Sequence, residues 1–192
     1  MGNYSFALGR ELTRPLFAIY ILYIVPLIKT CILAFIAFGL CACGSDTIEE
    51  CETLATVNAS IEVGTGATEF TPIGPETGFE LGPQGGWHVY ASIRTMGLYP
   101  GILGEFDETA PKITYRLNNE AGEMVGGFDE VPKPMRNLGD NAAEIIGEFA
   151  VLAFDDASLA EGLPVTIIAK VEDACGKLVE TSTKTVLSES AM

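Results

Sequence analysis

The residues best equipped for chemistry lie in one short stretch, Gly82-Pro83-Gln84-Gly85-Gly86-Trp87-His88-Val89, which holds the chain's only tryptophan and only histidine. An imidazole titrates near neutral pH and can act as base, donor or metal ligand. In an extended strand His88, Tyr90 and Arg94 share one face, and Gln84 precedes them in the loop. Gln84, His88, Tyr90 and Arg94 together could bind an anionic or sugar-like ligand, with the tyrosine as a stacking surface. The plainer expectation is a solvated sheet face, with His88 bonded to the glycine loop and Trp87 turned with Val89 toward the core. Pro83 and the glycines make a sharp loop or bulge ahead of the strand.

Enzyme chemistry finds little support, and no catalytic residue is assigned. A Ser-His-Asp set would have to use His88, and no Gly-x-Ser-x-Gly elbow exists. A zinc site lacks ligand spacing. Asp155-Asp156 and Asp129-Glu130 sit in turns, yet no Asp-x-Asp-x-Asp-Gly calcium loop is present. No metal and no cofactor are expected. Of the five cysteines, Cys51 and Cys175 lie in the body of the chain. They are either a disulfide tying an N-terminal segment to a late turn, or two free thiols.

These residues need a scaffold and an address. Residues 16–40 are almost wholly apolar, broken by Pro26, Lys29 and Thr30, and follow Arg10 and Arg14. One reading is a single transmembrane helix over about residues 16–40 with a cytoplasmic N-terminus. The other is an export signal over residues 1–42, whose apolar part runs from Thr30 to Leu40. Leu40-Cys41-Ala42-Cys43 resembles the lipobox of bacterial lipoproteins, departing from it at Cys41, where a small aliphatic or hydroxyl residue is usual. That resemblance implies diacylation of Cys43, cleavage before it, and acylation of the new amine. Acyl chains at ~0.8 kcal/mol per buried CH₂ would anchor the protein stably. Gly44 and Ser45 look like the start of a tether, and the absence of Asp after Cys43 implies the outer membrane, facing periplasm or surface. The leader is long, which places the expected start of translation nearer Leu22 or Val25. The glycine–tryptophan–histidine stretch, with Val63-Gly64-Thr65-Gly66 and Phe70-Thr71-Pro72, resembles a pattern of uncharacterised bacterial lipoproteins. It implies no activity.

From Cys43 onward 8 basic residues face 25 acidic ones, a net charge of −17. Nucleic acid is excluded as a partner on that charge; a basic or cation-bridged partner, or solubility near an anionic membrane, fits it. Residues 43–58 read as a lipidated surface tether and 59–192 as one domain. Period-2 patterns and recurring turns place strands at Ala59–Val63, Glu69–Ile73, Gly78–Leu81, Trp87–Thr95, Ile113–Asn118, Met124–Phe128, Ala143–Phe154, Val165–Glu172 and Leu178–Leu187. Hairpins are expected at Asn118–Glu123 and Asp173–Lys177. Beyond a single turn at Asp156–Glu161, no helix is expected after residue 43. Alternating faces in three of these strands indicate an antiparallel all-β fold, an immunoglobulin-like two-sheet sandwich, with a small β-barrel as the alternative. The expected role is a lipid-anchored, non-enzymatic binding or structural module of the cell envelope. A ligand-binding or transport accessory built on strand 87–95 comes next, and an enzyme last.

Overall fold

The computed structural model describes residues 49–190. The apolar leader, the lipobox with Cys43, and the first tether residues lie outside the described residues. None of the described helices is long and apolar enough to cross a membrane.

The fold is all-β. A short helix, α1 (Glu49–Leu54), precedes β1 (Ser60–Thr65), β2 (Thr71–Pro72), β3 (Glu76–Leu81) and β4 (Trp87–Met96). There follow β5 (Lys112–Asn118), β6 (Met124–Pro132), β7 (Arg136–Gly139), β8 (Ala142–Val151), β9 (Pro164–Glu172) and β10 (Leu178–Glu189). All ten strands join one curled, mixed sheet, ordered β2-β1-β4-β3-β10-β9-β5-β6, with β8 on β4 and β7 on β8. A single bridge between Gly126 and Leu152 connects β6 to the segment after β8, so the sheet bends into a half-barrel around its core.

Alternation drives this arrangement. Ile113, Tyr115 and Leu117 of β5 and Val165, Ile167, Ala169 and Val171 of β9 are all buried, as are Val89, Ala91 and Ile93 of β4. Phe79, Leu98, Met135 and Leu187 belong to the same cluster. Each valine, leucine, isoleucine, methionine or phenylalanine among them, taken fully from water, contributes about 1.5–3 kcal/mol.

Three tight hairpins share one geometry. In Gly82–Gly86, Asn119–Glu123 and Asp173–Lys177 the first N–H donates to the fifth carbonyl, and the fourth N–H donates back to the first carbonyl. In each the fourth residue is a glycine at positive φ, namely Gly85, Gly122 and Gly176. This is a type I turn closed by a left-handed glycine. Asn119 and Asp173 brace theirs by accepting backbone N–H groups with their side chains.

Four features depart from the sequence expectations. β10 pairs with β3 in parallel, Val186–Glu189 beside Glu76–Phe79; strands more than a hundred residues apart have no turn to dictate antiparallel pairing. β7 was not expected, because Arg-Asn-Leu-Gly carries no apolar alternation and every residue of it is exposed. Part of the expected tether is folded: α1 buries Leu54. Finally, the second face of β4 is not wet, since His88 and Ser92 are buried there. The turn expected at Asp156–Glu161 is a 3₁₀ turn over Ala157–Leu159, capped by Asp156 through Ser158 N–H.

One turn organises the N-terminal end. Cys175 in the β9–β10 turn forms a disulfide with Cys51 of α1, the Cα atoms 5.4 Å apart. Lys177 Nζ donates to the carbonyls of Leu54, Val57 and Gly97, closing the end of α1 where helix carbonyls lack partners. Asp173 accepts from Tyr99 N–H at 2.8 Å. Helix, turn and the loop after β4 are thereby one unit.

Candidate functional site

The glycine–proline turn is explained by what packs upon it. A Cβ at Gly82 would lie 3.0 Å from His88 Nδ1, so this glycine makes room for the imidazole. The upstream fragment of the pattern works in the same way. A Cβ at Gly64 would stand 2.5 Å from the Phe70 ring, and the Gly64 carbonyl accepts from the buried Tyr115 hydroxyl. In both, an aromatic ring is laid over a glycine, one in a turn and one in a strand.

His88 is 3% exposed. Its ring lies edge-on between Tyr90, at 4.9 Å between centroids, and Phe149 of β8, at 4.4 Å. Nε2 has no hydrogen-bond partner and lies 3.9 Å from Glu80 Oε1. The register places Glu80 opposite His88, while Phe149 stands opposite Tyr90. The Tyr90 hydroxyl donates to the same Glu80 oxygen at 2.7 Å. That hydrogen bond, with burial and the carboxylate's charge, pushes the Tyr90 phenol above its ordinary value.

A cleft of about 280 Å³ opens here, lined by Gly82, Pro83, Gln84, Gly86, His88, Phe149 and Val151. Of the expected ligand-binding set, Gln84 and His88 line this cleft. Tyr90 supports the histidine from the side. Arg94 is elsewhere: four residues on, about 13 Å along the strand, its Nε donates to Glu144 Oε2 at 2.9 Å. Its guanidinium also covers Phe70 at 4.4 Å. Glu144, 2% exposed, takes a second bond from Arg136. Burial raises the Glu144 carboxyl, but the two arginines outweigh it and hold it below the usual carboxylate range.

A strand period could align His88, Tyr90 and Arg94 but could not show that Arg94 is already neutralised. Phe149 and Glu80 were missed because strand pairing, which sequence alternation does not specify, brings them in. Chemically the cleft offers one aromatic wall, one amide and the edge of a buried imidazole, whose unpartnered Nε2 lies toward Glu80 and is closed to solvent. Such a nitrogen is satisfied by a buried water. Among the described residues no group of three or more His, Cys, Asp or Glu side chains could hold a metal ion.

Comparison with known proteins finds no matching family model and no curated protein of significant similarity.

Proposed function

We propose that the protein is a lipid-anchored, non-enzymatic module of the bacterial cell envelope, tethered through Cys43. The observation that carries this reading is the Cys51–Cys175 disulfide. Such a bond persists in an oxidising compartment and not in a reducing cytosol, which fits an exported body. In sequence it begins eight residues after Cys43. The finer architecture we assign is an immunoglobulin-like sandwich. Strands β2-β1-β4-β8-β7 form one layer and β3-β10-β9-β5-β6 the other, with β3 pairing into both. The support is that Glu76–Phe79 bond to β10 while Glu80–Leu81 bond to β4. The anchor is tested by detergent partitioning of the protein expressed in a bacterium beside Cys43→Ala. Movement of the variant out of the acylated, detergent-bound form supports it. A full-length variant and parent behaving alike would favour a transmembrane segment over about residues 16–40.

A second reading, a ligand-binding or transport accessory, draws on the cleft that Gln84, His88 and Phe149 line. Its site is Gln84, His88 and Phe149, without Arg94. A flat or methyl-bearing group against Phe149 fits the chemistry. Chemical-shift changes at His88 on titration with small aromatic and sugar probes, abolished in His88→Ala, would support it. No response from any probe would leave the module without this function.

A further inference from the structure

We propose that α1 and the tip of the β4–β5 loop form a docking surface for a basic amphipathic segment of another protein. The loop is held at both ends. Gly97 N–H donates to Asn141, Met135 N–H to Pro100 and Lys133 N–H to Pro111, and Tyr99 is fixed by Asp173. Near the tip Asp107 accepts from the Thr109 backbone and hydroxyl. Yet this braced loop leaves Ile102 50%, Leu103 70% and Phe106 68% exposed. Apolar side chains clustered in water on a fixed loop mark an interaction surface more often than a solvated one.

Beside the tip runs a hollow of about 530 Å³, walled by Leu54, Leu98, Tyr99, Pro100 and Ile102. The charged groups around it are acidic apart from Lys177, whose Nζ is spent on the Leu54, Val57 and Gly97 carbonyls. α1 supplies Glu49, Glu50 and Glu52, the loop supplies Glu105, Asp107 and Glu108, and Asp140 lies at the edge. Residues 49–58 and 97–111 contain no lysine or arginine. The Tyr99 phenol registers the convergence: burial first, then Glu50, Asp107 and Glu105, push it above its ordinary value. Leu103 and Phe106 face the other side of the tip, where they line a second hollow of about 510 Å³ with Lys133 and Arg136, whose charges are already paired with Glu148 and Glu144.

Charge selects the occupant. A second copy would set carboxylates against carboxylates. A bilayer would have to take Glu105 and Asp107 to its surface with Phe106 between them, against its own anionic headgroups. A segment with lysines or arginines on one face and apolar residues on the other satisfies rim and hollow together. This surface does not depend on the lipid anchor.

The test uses the full-length protein in phosphatidylcholine nanodiscs and a labelled helical peptide of leucine and lysine, read by fluorescence anisotropy. A peptide of equal charge with serine for leucine is the control. The expected result is preference for the leucine peptide, weakened about tenfold by Ile102→Ser, as for loss of an apolar anchor. Glu105→Gln, Asp107→Asn and Glu108→Gln together should weaken it comparably and flatten its salt dependence. Glu76→Gln, Glu120→Gln and Glu180→Gln, removing the same charge elsewhere, should leave it unchanged. Equal weakening by both triple variants would reduce the effect to net charge and overturn the proposal. Quenching of a tip reporter, Phe106→Trp, by brominated lipid beyond the quenching of Trp87 in the parent would overturn it in favour of the membrane.

Discussion

At the scale of single residues, Gly82 and His88 act as a pair, and the pair is testable. Gly82→Ala places a methyl 3.0 Å from the imidazole. It should lower stability by about 1–3 kcal/mol, the usual range for forced repacking in a filled site, and shift the His88 ring resonances in NMR. Wild-type stability with unmoved resonances would contradict the packing described. Glu144 offers a second test. Its folded-state carboxyl sits below its unfolded value, so its contribution is present above about pH 4.3 and lost as pH falls through the lower folded value. Thermal unfolding between pH 7 and 3 should therefore show a steep acid limb that Glu144→Gln makes shallower. The role of Glu144 was hidden in the sequence, because burial of one carboxylate between Arg94 and Arg136 depends on β4, β7 and β8 meeting. His88 was conspicuous as the only histidine, but its burial under Phe149 was not.

At the scale of elements, the turn Asp173–Lys177 holds α1 and the β4–β5 loop. Removing the disulfide with Cys51→Ala and Cys175→Ala opens a loop with a sequence separation of 124. On chain-entropy grounds the loss is about 4–5 kcal/mol, measured by denaturant unfolding. Faster amide exchange confined to α1 and residues 97–101 should accompany it. Lys177→Met, which leaves the Leu54, Val57 and Gly97 carbonyls without their charged donor, should cost about 2–3 kcal/mol and loosen the same segments. Two of the three hairpins were legible because Asn-x-x-Gly and Asp-x-x-Gly state their geometry locally, and β5, β9 and the inner face of β4 because period 2 is unambiguous there. The helix was not legible, since six residues with one buried apolar side chain have no stripe to display and stand only because a disulfide and a lysine fix them. Likewise the parallel β3–β10 pair rests on contacts at the two ends of the domain, beyond the reach of any local pattern.

At the scale of the whole molecule, a strongly acidic body is built on three raised phenols: Tyr115, driven up by burial alone, and Tyr90 and Tyr99. Groups whose folded values lie above the unfolded value contribute stability below about pH 10 and lose it as pH rises further. Alkaline unfolding should therefore set in above pH 10 with tyrosine ionisation cooperative with loss of structure, and Tyr115→Phe should retain the fold while blunting that transition. If the tyrosines ionised independently of unfolding, the burial of Tyr115 would be contradicted.

Whether the exported body carries both the disulfide and a lipidated Cys43 comes down to one peptide mass. Between Cys43 and Arg94 the chain has no tryptic site, and Val171–Lys177 carries Cys175. A non-reducing tryptic digest of the protein from bacterial envelopes should yield Cys43–Arg94, acylated at its first residue and disulfide-linked to Val171–Lys177. An unacylated peptide running from Thr30 to Arg94, with Val171–Lys177 recovered as a free thiol, would contradict both the anchor and the staple.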